Sequence, residues 1–265
     1  MLGIINIFVV FFVSVMVSII GNVIGIGGGV MLVPFFILYL HLTSVVASGL
    51  SLFTIVISTL GGAYAFIKQK IFNYKLFIVL IFSILPGVIV GSIINKFVNT
   101  QQFKFIFPFW VIFIGIFSLI STKRQPKNKE AGYAKNQIVK HNRLIKLISF
   151  IAGFVSGFFG VGIGGIMGTY LITIEEISAK IAFPTLIMVM AITSFIGFVT
   201  HYISSDINLL SWVLYIVPLS IGAIFGSQIG VYISKISNVK TLRLYQGWII
   251  LILGCSILFL NILGA

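Results

Sequence analysis

The sequence predicts an all-α polytopic membrane protein of two inverted repeats, each a glycine-interrupted re-entrant hairpin plus three transmembrane helices. Three observations predict it. The chain is apolar throughout, with 59% of its 265 residues hydrophobic and only 8% charged and a mean hydropathy of +1.21, a balance that suits lipid and no water-soluble surface. A run of glycines, Gly21 to Pro34, lies inside the first apolar stretch and recurs at Ser156 to Met167, so that Gly25, Gly27 and Gly29 fall on Gly160, Gly162 and Gly164 at a shift of 135 residues. The basic residues lie between apolar runs, where they set membrane topology.

The apolar runs are Ile4 to Leu40, Ser44 to Ile67, Leu76 to Ile94, Phe105 to Ile120, Leu144 to Ile174, Ile181 to Ile203, Leu209 to Ile233 and Leu244 to Ile262. Six have the length of one span. The first and fifth exceed the roughly 20 residues a straight crossing needs, and both contain a glycine cluster. Each is either one broken, tilted span or a hairpin that dips in and returns. If all eight runs cross once, the basic residues divide eleven to six; if the first and fifth return, one face holds fifteen and the other only Lys96 and Lys104. Cytoplasmic loops carry the excess of Lys and Arg, so the hairpins fit better. An odd number of crossings per half then makes the second half enter from the opposite side, and the two glycine turns can meet near the midplane.

At the same shift Thr43 matches Ser178, Ala47 matches Ala182, Gly62 matches Gly197, Ser58-Thr59 match Thr193-Ser194, Asn73 matches Asn208 and Gly91-Ser92 match Gly226-Ser227. Towards the end of each half the shift grows to 139. The chain thus divides into a first repeat, 1–120, a basic linker, 121–143, and a second repeat, 144–265. The linker reads as cytoplasmic, solvated and in reach of anionic head groups. The first 20 residues lack a basic leader and run straight into the glycine cluster, so they are expected to be retained structure.

The net charge of +13 is accounted for by topology, which leaves no nucleic-acid footprint. All four acidic residues, Glu130, Glu175, Glu176 and Asp206, fall in or beside loops, which disfavours a cation site built on an intramembrane carboxylate. His41 and His201 at span ends and His141 in the linker are expected at interfaces or in solvent, with no metal-ligand spacing among them. Cys255 is expected to be an inert packed thiol. No nucleophile-and-base pair or phosphate loop can be assembled, so neither an enzyme nor a cofactor is expected.

What remains is backbone and hydroxyl chemistry. The short stretches after the glycine clusters, Val30 to Leu40 and Ile166 to Ile174, present unpaired first amides and the positive end of a helix dipole, which suits an anion. Close helix packing through small residues is the other reading of the glycines. Candidate substrate-binding residues are the glycines Gly25, Gly27, Gly28, Gly29, Gly160, Gly162, Gly164 and Gly165, with Asn22, Ser58, Thr59, Thr193 and Ser194 for orientation. Ser18, Ser51, Thr54, Ser156 and Thr169 lie nearby, and each hydroxyl has the alternative of bonding its own helix.

Gly-Ile-Gly-Gly-Gly-Val-Met-Leu-Val-Pro at Gly25 to Pro34, with the second copy at Gly160 to Gly165, closely resembles the TauE/SafE family, the sulfite-exporter family of bacterial inner-membrane transporters. The resemblance covers nearly the whole chain, including the basic linker and the Pro86 and Pro218 segments. It departs at Ile163, which interrupts the second glycine triplet, and at Thr169, which stands where the first copy has Pro34. The resemblance implies export, or sometimes uptake, of small sulfur-containing anions such as sulfite, thiosulfate and sulfonates or of other organic anions; export by alternating access is expected. The expected partners are the anionic substrate and the bilayer; the oligomeric state stays open. A passive anion channel and a non-transporting scaffold are the rival readings.

Overall fold

The computed structural model describes residues 4–24, 27–69, 73–123, 142–205, 209–236 and 239–262. These form ten helices and no strand: α1 Ile4–Ile24, α2 Gly29–Leu38, α3 Ser44–Gln69, α4 Tyr74–Lys96, α5 Thr100–Lys123, α6 Asn142–Phe159, α7 Gly164–Thr173, α8 Ala179–Ser204, α9 Leu209–Ile236 and α10 Val239–Ile262. Five of the helices are long and apolar enough to cross a membrane over their described residues. Most of the linker lies outside the described residues, as does Gly25.

Both over-long apolar runs are broken at their glycines, where the chain turns back. A Cβ on Gly21 would sit 2.7 Å from the Gly28 nitrogen, and one on Gly28 would sit 2.6 Å from Cγ1 of Val17, so the segment after α1 folds back along it. Left-handed backbone makes the turn: φ is 87° at Gly27 and 78° at Gly28, with 71° at both Gly160 and Gly162 in the second copy. Residues with a Cβ avoid that region. After the second turn α7 runs back past α6, where Met167 Sδ reaches Ser149 Oγ at 3.8 Å. The returning helices, α2 and α7, have ten residues each, about 15 Å or half a hydrocarbon core. Three residues beyond the end of each lies a non-glycine residue of positive φ, His41 at 53° and Glu176 at 56°, which are partners at the 135-residue shift.

Helix pairing follows the repeat. α4 packs on α6 and α1 on α9; α3 packs on α8 and α5 on α10; α4 also meets α8 as α9 meets α3. Exchanging α1–α5 with α6–α10 maps this set of pairings onto itself. The α4–α6 and α1–α9 pairs run parallel and are zipped by small residues. Gly87 and Gly91 of α4 lie against the carbonyls of Phe150 and Phe154, and Gly153 and Gly157 of α6 lie against those of Ile84 and Val88. On α9, Gly222, Gly226 and Gly230 approach Ser14, Ser18 and Asn22 of α1, the close backbone approach that small residues at four-residue spacing allow. The α5–α10 and α3–α8 pairs run antiparallel: Gly115 meets Leu251 while Gly247 meets Leu119, and Gly49 meets His201 while Gly197 meets Leu52.

One match in the sequence is corrected by these contacts. Gly87 meets Phe150 as Gly226 meets Val15, and Gly91 meets Phe154 as Gly230 meets Ile19. The structural partner of Gly91 is therefore Gly230, not Gly226, and the shift of 139 already holds in the middle of α9, which is the longer helix at 28 residues against 23 for α4.

α8 is the central helix, with 67% of its spanning window buried against 28–39% for the other four candidate spans. Its partner α3 is buried along most of Ser44 to Thr59. The outer helices turn Phe8, Phe12, Phe82, Phe105, Phe109, Val217 and Ile252 outwards, as expected for lipid contact. Cys255 is exposed as well, so it is not the packed thiol expected from its position: it lies off the stripe of α10 that meets α5.

Replacing Gly91 with Ala should drive α4 off α6 and cost about 1–3 kcal/mol, seen as earlier thermal unfolding in detergent. Gly168→Ala is the control, because its Cβ would have no neighbour nearer than 3.5 Å and should be neutral or stabilising.

Candidate functional site

A helix end leaves backbone carbonyls or amides without intrahelical partners, and inside a bilayer no water takes their place. The two breaks solve this problem unequally. At the end of α6, Gly160 N–H donates to Ser156 O at 2.8 Å, and the next carbonyls are met by side chains from three other helices. Gly157 O accepts from His201 Nε2 at 2.8 Å and Ser92 Oγ at 3.4 Å. Phe158 O accepts from Asn95 Nδ2 at 2.5 Å and Ser48 Oγ at 3.5 Å. Gly160 O accepts from Ser51 Oγ at 2.6 Å. At the end of α1 the corresponding bond is local, from Asn22 Nδ2 to Ser18 O at 2.8 Å.

The amide ends differ from the carbonyl ends. Neither the Gly28 N-cap of α2 nor the Ile163 N-cap of α7 supplies a side-chain cap. The two turns adjoin: a Cβ on Gly29 would run into Gly160 O and lie 2.7 Å from Val161 Cα and 2.8 Å from Ser51 Oγ. Ile55 of α3 and Met190 of α8, partners at the 135-residue shift, both border Gly27. Gly28, Gly29 and the whole of Gly160 to Gly165 are buried. The start of each short helix carries roughly half a positive charge and the end of each long one roughly half a negative charge. At α6 the negative end is covered by five donor side chains, while the starts of α2 and α7 have no side-chain cap.

The candidate residues fall into distinct groups. Gly27, Gly28, Gly29, Gly160, Gly162, Gly164 and Gly165 lie in or beside the turns; Gly25 lies outside the described residues. Asn22 is half-buried and bonded to its own helix. Ser58, Thr59 and Thr193 also bond within their own helices, to Ile55 O at 3.1 and 2.7 Å and to Val189 O at 2.9 Å. Ser194 is buried and its hydroxyl has no partner among the described residues, as is true of Ser18. The two described loop carboxylates, Glu175 and Glu176, lie between α7 and α8; Glu175 is buried and accepts from Tyr170 Oη at 2.7 Å.

His201 overturns its expectation. It is fully buried and not solvated, because α8 is the central helix and its last turns pack under Gly49 and Trp212. Ser48, Asn95 and His201 had no functional signal in the sequence. Asn95 sits one residue beyond an apolar run, yet it continues the four-residue spacing of Gly87 and Gly91, and that spacing is the signal that marks its face of α4.

The family model described as "Sulfite exporter TauE/SafE" matches residues 10–257. The chain belongs to the TauE/SafE family. It is similar to the probable membrane transporter protein YunE of Bacillus subtilis, 28% identical over 91% of this chain and 93% of that one. It is also similar to the probable membrane transporter protein MJ0441 of Methanocaldococcus jannaschii, 26% identical over 93% of each. A probable membrane transporter protein of Haemophilus influenzae is 24% identical over 63% of this chain and 62% of its own. No solved structure matches it significantly. This TauE/SafE chain is a multi-pass membrane transporter.

Asn95→Ala in the TauE/SafE chain should cost about 1–3 kcal/mol, because Phe158 O loses its short bond in a buried site. Asn22→Ala should cost less than about 1 kcal/mol, since the bond it removes lies within one helix. Thermal unfolding of the purified variants in detergent measures both.

Proposed function

We propose that this protein exports small sulfur-containing or organic anions, of the sulfite, thiosulfate or sulfonate class, by alternating access across the bacterial cytoplasmic membrane. The observation that carries the reading is the meeting of two uncapped helix N-termini, α2 and α7, at the adjoining turns. In this reading the amides of Gly25 to Gly29 and Gly160 to Gly165 hold the charge, and Asn22, Ser58, Thr59, Thr193 and Ser194 orient the anion. Ser194 leads that group, because its hydroxyl is the one not already bonded to its own helix. The family's printed description, a sulfite exporter, supports the substrate class and direction.

Two inverted repeats complete the reading. It is supported by the antiparallel course of α3 against α8 and α5 against α10, each pair being partners in the repeat. That course sets the ends of α3, α5 and α9 and the starts of α4, α6 and α10 on one side, which supports reading that side, nearest the basic excess of the sequence, as cytoplasmic. Energetics permit export without a coupling ion: with the cell interior negative, one negative charge moving outwards gains roughly 2.3 kcal/mol per 100 mV.

The test is thiosulfate and sulfite flux into proteoliposomes at several clamped potentials. Saturable, potential-driven flux with counterflow is expected; non-saturating flux would make the protein a channel, and no flux of either anion would send the substrate class back. Gly28→Ala cannot separate site from scaffold, since its left-handed backbone and the contact with Val17 strain the fold. Ser194→Ala can. It removes no hydrogen bond, so its unfolding temperature should stay unchanged while the thiosulfate KM rises about fivefold or more, the loss of roughly one substrate hydrogen bond.

A further inference from the structure

The two turns differ in what lies beside them. The second is held by the cage of donor side chains at the end of α6. Beside it Trp110 of α5 stacks on Phe159, the residue before Gly160, with ring centroids 6.0 Å apart and planes 9° from parallel. The first turn has a small cavity instead, between α1, the start of α2 and α10. Its lining includes Gly28 and Val30 at the start of α2, Ile20 of α1, and Ile249 and Leu253 of α10. The repeat accounts for the difference. α5 and α10 correspond at the shift of 139, since Gly115 meets Leu251 as Gly254 meets Ile112. Ile249 is therefore the counterpart of Trp110, and Gly28, at the shift of 135, that of Ile163. Where the second half has an indole and a branched side chain, the first has a smaller side chain and a hydrogen.

The cavity is almost wholly apolar and about the size of a water molecule or a methyl group. Water needs polar partners to stay in so small a space, so an apolar cavity stays dry. The walls of such a void forfeit contacts, and a methyl group placed in it restores them. Gly28 and Val30, which line the cavity, also stand at the uncapped start of α2, where the reading above places the charge of the anion. We propose that the cavity holds a short alkyl group carried by the anion, so that the protein prefers a one-carbon alkanesulfonate to an anion of the same shape that puts a polar group there. The inference rests on the anion site proposed above. The sulfonate oxygens face the amides at the start of α2, and the carbon bonded to sulfur enters the cavity. Longer chains run into Ile249 and Leu253. A polar group in the same place loses its water without gaining a hydrogen bond.

Methanesulfonate and sulfamate are the probes, because they share charge, shape and the sulfonyl oxygens and differ in carrying a methyl or an amino group. Isothermal titration calorimetry of the purified protein in detergent should give a Kd for methanesulfonate about tenfold below that for sulfamate. Ethanesulfonate and propanesulfonate should bind progressively more weakly than methanesulfonate. Leu253→Ala, which enlarges the cavity, should move the optimum to one of these longer chains. Ile249→Phe, which fills it, should bring the affinities for methanesulfonate and sulfamate together. A length optimum that follows cavity size does not arise from damage to the fold, so Leu253→Ala decides the matter even where Ile249→Phe fails to fold. Equal affinities for methanesulfonate and sulfamate in the wild type, or an optimum that Leu253→Ala leaves in place, overturn the proposal while the anion site stands. Failure of methanesulfonate, sulfamate and thiosulfate alike to bind overturns the anion site and this inference with it.

Discussion

Every break in a membrane helix must find partners for the backbone groups it sets free, and this requirement organises the interior of the protein. Two helices stop short of a clean crossing and turn back, so two sets of carbonyls and two sets of amides lie within the apolar bundle. The carbonyls of α6 are met by Ser48, Ser51, Ser92, Asn95 and His201, drawn from α3, α4 and α8. The starts of α2 and α7 have no side-chain cap. At the α6 break the carbonyl pole is met by side chains while the start of α7 has no side-chain cap, so the partial charge left there is that of the amides.

Much of this was legible in the sequence. The all-helical membrane fold follows from composition. The breaks follow from glycines in runs too long for one span, and the short helices were expected from Val30 and Ile166 and begin at Gly29 and Gly164. The cage was not legible, for a physical reason: its members lie far apart along the chain and matter only because the end of α6 arrives between them. Asn95 looks like a span boundary, His201 looks interfacial, and a serine in a membrane helix ordinarily bonds its own backbone, as Ser58 does. The slip at Gly91 has a different cause. Glycines spaced by four residues still match after a slide of one helical turn, so the string cannot choose the register; the carbonyls of Phe154 and Ile19 choose it.

Glycine serves two ends in this chain, and the backbone angles separate them. At Gly27, Gly28, Gly160 and Gly162 the left-handed region is occupied and the residue makes a turn. At Gly87, Gly91, Gly153, Gly157, Gly222, Gly226 and Gly230 the helix is ordinary and the missing side chain lets a parallel neighbour come within reach of a carbonyl. Close packing, one of the sequence's two readings of glycine, therefore holds at the second group, while the first group makes the turns.

The unequal treatment of the two hairpins bears on ancestry. An internal duplication implies a forebear of half this length that assembled as a pair of identical chains. Neither present half carries the whole cage. Two second halves would set the freed carbonyls of Gly157, Phe158 and Gly160 against Phe183 and Leu186, with Ser234 in the place of Asn95. Two first halves would place Asn22 where Gly157 now lies against the carbonyl of Val88. The cage is thus shared property: the carbonyls and His201 come from α6 and α8, and Ser48, Ser51, Ser92 and Asn95 come from α3 and α4. Each half completes a break the other could not fill alone in this arrangement.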